Sequence, residues 1–209
     1  MPPTLWIVAG PNGAGKTTGV QRLKIKQLLS GVRFLNPDDR TKSKLIALGY
    51  QGFADAPQEI QFEAFKTSAN EVSAELEHAV ENGEQIGIET VLSTDKYRAL
   101  VVRVIELGGS LGIIYVALAS PEIAIERVAR RVSRGGHGVP ADKITKRWQD
   151  SLLKLDWYLR HATRFFVYDN SASDVSVAGP RLVCRGEFGR ISFIAEDCFE
   201  ELRSALERI

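Results

Sequence analysis

The chain has 209 residues, 44% hydrophobic and 25% charged, which suits one domain with a packed core. Its 27 basic and 26 acidic residues leave a net charge of +1, so a broad basic footprint for nucleic acid is excluded. No apolar run approaches the ~20 residues of a membrane span. Cys184 and Cys198 stand in no metal-ligand or Cys-x-x-Cys spacing. With no leader-like segment at the amino terminus, a reducing cytoplasm is expected.

The first element is an apolar run, Leu5-Trp6-Ile7-Val8-Ala9, which reads as a buried strand. Gly10 to Thr17 follows as Gly-Pro-Asn-Gly-Ala-Gly-Lys-Thr and matches the Walker A pattern G-x-x-x-x-G-K-[ST] without a gap. Thr17 to Leu29 reads as a helix, with Val20, Leu23 and Leu28 available for an inner face. Strand, glycine loop and helix are the context the motif requires. Gly10, Gly13 and Gly15 let several backbone N–H groups point at one phosphate chain. Lys16 supplies positive charge at the β/γ-phosphates, and the Thr17 hydroxyl can ligate Mg²⁺. Pro11, Asn12, Ala14 and Thr18 complete the predicted nucleotide-binding stretch.

Val32 to Leu35 reads as a second strand, ending in the polar loop Asn36-Pro37-Asp38-Asp39. A short helix is expected around Ser43 to Leu48, then a loop with Gly49 and Gly52. A long helix spans about Pro57 to Asn82, with proline at its first turn and Gly83 past its end. Phe62, Phe65, Ala69, Val72, Leu76 and Val80 recur at steps of three or four and predict one core face. Gln85 to Glu89 is a third strand, and Asp95 to Leu107 a helix closed by Gly108-Gly109. Leu111 to Ala119, the most apolar stretch, reads as a central strand. Ser120-Pro121-Glu122 opens a helix that stops at Gly135-Gly136. After the loop His137-Gly138-Val139-Pro140, a helix covers about Asp142 to His161, with Ile144, Trp148, Leu152, Leu155 and Leu159 on one face. Phe165 to Tyr168 is a fifth strand, ending at Asp169-Asn170-Ser171. Arg181 to Cys184 and Arg190 to Ile194, split by Gly186 and Gly189, read as a β-hairpin before a last helix at about Glu196 to Glu207.

This alternation predicts an α/β fold: a central parallel sheet of about five strands with helices on both faces, then a C-terminal β-hairpin and helix. No linker or repeat divides the chain, so residues 1–209 are read as a single domain, with a lid at about 127–150 and the hairpin and helix at 181–209.

Ligands of such a sheet sit at the carboxyl ends of its strands. Four polar clusters fall there: the phosphate loop, Asp38-Asp39, Glu89-Thr90 and Asp169-Asn170. Carboxylates beside a nucleotide site suggest a base for a hydroxyl acceptor and a partner for metal or substrate. Taken alone, Asp38 and Asp39 read equally well as cap or turn residues. Glu89 ends an otherwise apolar strand and needs a buried partner or a function. Asp169-Asn170 reads as a turn. Arg127, Arg131 and Arg134 share one helical face, and Arg147 follows on the next helix. Such a set is either a solvated basic face or a lid over a transferred phosphoryl group. His137, between glycines, reads as shaping that lid.

These pieces together resemble the zeta-toxin-like P-loop kinases, closest to their short branch. The resemblance is carried by Ile7 to Thr18, Phe34 to Asp38, Ile88 to Ser93, Arg127 to Pro140, Arg147 to Leu152 and Val167 to Ser171. It implies a P-loop NTPase fold of the nucleotide-kinase type. It also implies phosphoryl transfer from ATP, with Mg²⁺, to a hydroxyl of a nucleotide sugar, in the family UDP-N-acetylglucosamine. Carried over, Asp38 is the base, with Asp39 beside it as the alternative. Glu89 and Thr90 lie in the substrate pocket, and Arg131, Arg134 and Arg147 act from the lid with Lys16. A protein antitoxin is implied for some members only. Two other readings stay open: a hydrolytic or non-catalytic nucleotide switch, and a kinase for nucleic-acid ends.

Overall fold

The apolar runs of the sequence become the middle of a sheet. A computed structural model of the protein describes residues 1–17, 26–172 and 179–209. In it β1 (Thr4–Ala9) and β4 (Ser110–Ala117) lie side by side and parallel, with every residue after the first of each buried. Strands covered on both faces need no polar alternation, which is why both read as unbroken apolar stretches. β3 (Gln85–Thr90) pairs parallel to β1 on its other side, and β2 (Arg33–Leu35) closes that edge. β5 (Arg164–Asp169) pairs parallel to β4. β6 (Arg181–Glu187) and β7 (Arg190–Ile194) add antiparallel beyond it, so the C-terminal hairpin extends the same sheet. The order is β2-β3-β1-β4-β5-β6-β7.

Two glycines let aromatic rings lie across neighbouring strands. Trp6 is opposite Gly112 and Phe34 is opposite Gly87, and a Cβ on either glycine would lie 2.4 Å from the facing ring.

The expected polar loop after β2 is instead the start of a helix. α1 (Pro37–Ala47) begins after Asn36, whose side chain accepts a hydrogen bond from the Asp38 backbone N–H at 2.9 Å. This cap, with proline in the first turn, starts the helix well before Ser43 and places Asp38 and Asp39 in its first turn.

The long helix, α2 (Gln58–Glu81), buries Val72, Leu76 and Val80 as its pattern predicts, and Ala79 beside them. Its other half departs from the expectation: Ala64 and Ser68 are buried, while Phe62 and Phe65 are 65% and 41% exposed. Length explains the difference. The 24 residues of α2 span about 36 Å, against about 20 Å for the 6 residues of β3. The chain enters β3 from the end of α2, so the start of α2 overhangs the carboxyl edge of the sheet. A small second cluster, Leu45, Ala56 and Ala64 with Tyr50 and Phe53, joins α1, the following loop and α2.

α3 (Arg98–Glu106), α4 (Pro121–Val132) and α5 (Ala141–His161) follow, and α5 buries Ile144, Trp148, Leu152, Leu155 and Leu159 as predicted. α6 (Glu200–Leu206) starts later than expected. Asp197 pairs with Arg181, and the Glu196 carbonyl accepts from Arg203, which holds the preceding stretch as a turn. Most of the helix expected after the glycine loop, with Val20 and Leu23, lies outside the described residues. Its described end, Lys26–Leu29, is a 3₁₀ helix on which Leu28 is exposed rather than inward. Among the described residues no helix is long and apolar enough to cross a membrane.

Candidate active site

β1 delivers the chain to the carboxyl edge, and Gly10 to Gly15 turn across it. Gly10 has φ 144°, and a Cβ there would lie 2.1 Å from the Val116 carbonyl of β4. Only glycine lets the loop press that closely on the sheet. Gly13 and Gly15 also have positive φ, 73° and 79°. The opposite side of the loop is held by Asn170, whose Nδ2 donates to the Ala14 carbonyl at 2.8 Å. Asn170 is therefore buried and structural to the phosphate loop, a role the turn reading of Asp169-Asn170 missed. Pro11 and Asn12 are buried in the loop, and Asn12 Oδ1 has no partner among the described residues.

Lys16 Nζ donates to the carbonyls of Gly10 and Pro11 at 2.8 and 3.0 Å. Burial lowers its pKa, and the charges of Glu89 and Asp38 raise it in part. Thr17 donates to Glu89, with 3.0 and 2.9 Å to the two carboxylate oxygens. Burial raises the Glu89 pKa; Lys16 and Thr17 oppose that, and Asp39 and Asp38 add to it. Lys16, Thr17, Glu89, Asp38 and Asp39 thus share one electrostatic site, built from the ends of the adjacent strands β1, β3 and β2. The residues fit a magnesium nucleotide. The glycine cradle admits no Cβ at Gly10, and the Thr17 hydroxyl beside a carboxylate is a hard-oxygen pair suited to Mg²⁺. Thr90 Oγ1 accepts from the Leu92 N–H at 3.2 Å and shapes the turn after β3, where Leu92 has φ 63°. Thr18 lies outside the described residues.

The segment expected as a lid, around the turn between α4 and α5, comes within the electrostatic reach of Asp38. Arg131 donates from Nη2 to the His137 carbonyl at 2.7 Å, and the ring of His137 packs on Phe53 with centroids 4.7 Å apart. Burial lowers the His137 pKa; Asp38 raises it, and Arg131 and Arg147 lower it. The fields of α1, α4 and α5 therefore meet at His137. Arg131 Nε and His137 Nδ1 are shielded without partners among the described residues. Arg127, Arg130, Arg131, Arg134 and Gly136 line a cleft of about 270 Å³. In it Arg127 donates to the Ala172 carbonyl at 2.9 Å, Arg130 pairs with Glu126, and Arg134 is exposed at the rim. Arg131 and Arg147 thus reach the Asp38 neighbourhood electrostatically, while Arg134 belongs to the outer cleft.

A profile of the AAA domain family matches residues 5–155. Among solved structures, the chain is similar to one solved as the AvrRxo1-ORF1:-ORF2 complex with ATP, with TM-score 0.69 and 17% identity, covering 99% of this chain and 63% of that one. It is also similar to the PezAT chromosomal toxin-antitoxin system of Streptococcus pneumoniae, with TM-score 0.56 and 16% identity over 99% of this chain and 77% of that one. A third likeness is to the Pnkp1/Rnl/Hen1 RNA repair complex, with TM-score 0.51 and 16% identity over 74% and 46%. At these identities the likeness concerns the fold. The chain spans 60% to 63% of the length of the AvrRxo1 chains it matches. No curated protein matches it by sequence. The family profile runs from β1 into α5 and takes in the phosphate loop, Asp38, Glu89, Arg131, Arg134 and Arg147. The chain belongs to the AAA domain family, and its fold is the kinase-type P-loop fold that its resemblance to the zeta-toxin-like kinases implies.

Proposed function

We propose that the protein is an ATP-dependent kinase that transfers the γ-phosphoryl group to a hydroxyl of a small molecule. A nucleotide sugar such as UDP-N-acetylglucosamine is the first candidate acceptor. The observation that carries this reading is the convergence of Lys16, Thr17, Glu89 and Asp38 at the ends of three adjacent parallel strands. A glycine loop alone binds phosphate; a carboxylate in the field of its lysine adds a base for an acceptor.

In this reading Lys16 and the loop N–H groups hold the β/γ-phosphates, and Thr17 holds Mg²⁺ with Glu89 at its side. Bound Mg²⁺ supplies charge neutralisation across the phosphates. Asp38 takes the hydroxyl proton as the acceptor oxygen bonds to phosphorus and ADP leaves. Arg131 and Arg147 neutralise charge on the transferred group, and Arg134, at the rim of the outer cleft, would join them only on closure. Thr90 shapes the acceptor side. The AvrRxo1 structure contains two proteins and PezAT is a toxin-antitoxin system, which supports a zeta-type toxin with a protein antitoxin as the finer form of the proposal.

The test is incubation with γ-labelled ATP, Mg²⁺ and a panel of nucleotide sugars, with Lys16→Ala as control. Label on UDP-N-acetylglucosamine that vanishes in the control is the expected result. Label on no sugar, with ATP still bound, removes the acceptor assignment. The arginine cleft favours one competitor, a nucleic-acid-end kinase, so RNA oligonucleotides belong in the panel; that reading requires binding that weakens steeply with salt.

A further inference from the structure

Two helix pairs flank the site, and a ring contact joins them. α1 leaves the sheet from the end of β2 and α4 from the end of β4. Between those strands lie β3, which carries Glu89, and β1, which leads into the phosphate loop. α1 packs on α2, and α4 packs on α5. The first pair carries Asp38 and Asp39, the second Arg131 and Arg147. Phe53, from the loop between α1 and α2, meets His137, from the turn between α4 and α5, with ring centroids 4.7 Å apart.

Both sides of this contact are fastened. Phe53 packs on the small cluster that joins Leu45 of α1 to Ala64 of α2. The carbonyls of Phe53 and Ala56 each accept from Gln61 Nε2 of α2 at 2.8 Å. Asp55 accepts from the N–H groups of Gln51 and Gly52. The loop that presents the Phe53 ring is thus tied to the pair that carries the acids. On the other side, the turn after α4 folds back along Arg131. The Gly136 N–H donates to the Arg131 carbonyl at 3.1 Å, and a Cβ on Gly136 would lie 2.6 Å from Arg131 Cγ. The next carbonyl, that of His137, accepts from Arg131 Nη2 at 2.7 Å. Arg131 Nε is shielded with no partner among the described residues, so the guanidinium keeps donor capacity for a phosphoryl oxygen. A long arginine side chain stabilises developing charge best when its head is already placed. The turn places the Arg131 head, and the His137 ring against Phe53 places the turn.

We propose that Phe53 and His137 are positioning residues for Arg131: their ring contact fixes the turn whose His137 carbonyl orients the guanidinium toward the transferred phosphoryl group. The proposal rests on the kinase reading above and gives the loop between α1 and α2 a part in the reaction.

The test has two readouts on the full chain. The first is calorimetry with Mg²⁺, comparing a non-hydrolysable ATP analogue with ADP. The difference reads contacts to the γ-phosphoryl group and needs no acceptor. The second is label transfer from γ-labelled ATP to UDP-N-acetylglucosamine. Phe53→Ala and His137→Ala should each lower kcat roughly 10- to 100-fold. Each should weaken the ATP analogue roughly 10-fold and leave ADP affinity unchanged. Phe53→Tyr, which keeps a ring, should retain both readouts. Introduced into Arg131→Ala, Phe53→Ala should change either readout by less than about 2-fold, because its effect runs through that arginine. A ring that only stabilises its loop adds its effect to that of Arg131→Ala, and such additivity overturns the proposal. Phe53→Ala with the ATP preference of the natural chain also overturns it. The two readings fail separately. Transfer at full rate in Phe53→Ala removes the positioning role and leaves the kinase. An ATP preference that depends on Phe53 through Arg131, with no transfer to any acceptor, removes the kinase and leaves Arg131 positioned at the γ-phosphoryl group.

Discussion

Glu89 is the residue on which the site's chemistry and its stability meet. It ends a buried strand, accepts from Thr17 and sits in the field of Lys16, yet burial still raises its pKa above the ordinary 4.5. A group whose pKa is raised by folding binds its proton more tightly in the folded state. Its stabilising contribution is present below 4.5 and is lost as pH rises through the raised value. Glu89→Gln should remove that loss. Measured without nucleotide, the Tm of the variant relative to the natural chain should be higher at pH 8 than at pH 4. An equal difference at the two pH values would mean that Glu89 carries no such strain. The same variant should lose Mg²⁺-dependent nucleotide binding, since stability and function draw on the same carboxylate in opposite directions.

At the scale of elements, α2 is one helix with two duties. Its lower half is core, so Leu76→Ala should cost roughly 2–5 kcal/mol in chemical denaturation. Its overhang is surface, so Phe65→Ala should cost less than about 1 kcal/mol in the same measurement. Equal costs would contradict the overhang. This helix also marks how far the sequence is legible. Periodicity shows that Phe62, Phe65, Val72 and Leu76 share a stripe, but burial depends on how far the sheet beneath extends, which no local pattern encodes. The loop after β2 shows the complementary limit. Asn36-Pro37 is readable as a cap and a first turn, yet the two acids that follow are equally at home in a polar loop, and only the Asn36 hydrogen bond to Asp38 decides between them. By contrast, β1, the glycine loop and β4 are legible, β4 to within two residues of its end, because unbroken apolar runs and a phosphate motif each have few structural alternatives. Asn170 was not legible, because its partner Ala14 lies at the other end of the chain.

For the whole molecule, the parallel strands place the phosphate loop, the start of α1 and Glu89 on one edge, and α1, α4 and α5 bring charge to it. Ligand binding there should be felt by the entire fold. ATP with Mg²⁺ at about 100 times its Kd should stabilise the chain by about 2.7 kcal/mol, seen as a rise in Tm that Lys16→Ala abolishes. A rise that persists in Lys16→Ala would place the nucleotide elsewhere. The central claim is that a carboxylate at the start of α1 converts this nucleotide site into a kinase. The most direct measurement is the rate of label transfer from γ-labelled ATP to the acceptor in the natural chain and in Asp38→Asn, with ATP affinity measured in both. The account predicts a fall in transfer of about 10²–10⁴-fold with nearly unchanged ATP affinity. Full transfer by Asp38→Asn would contradict it.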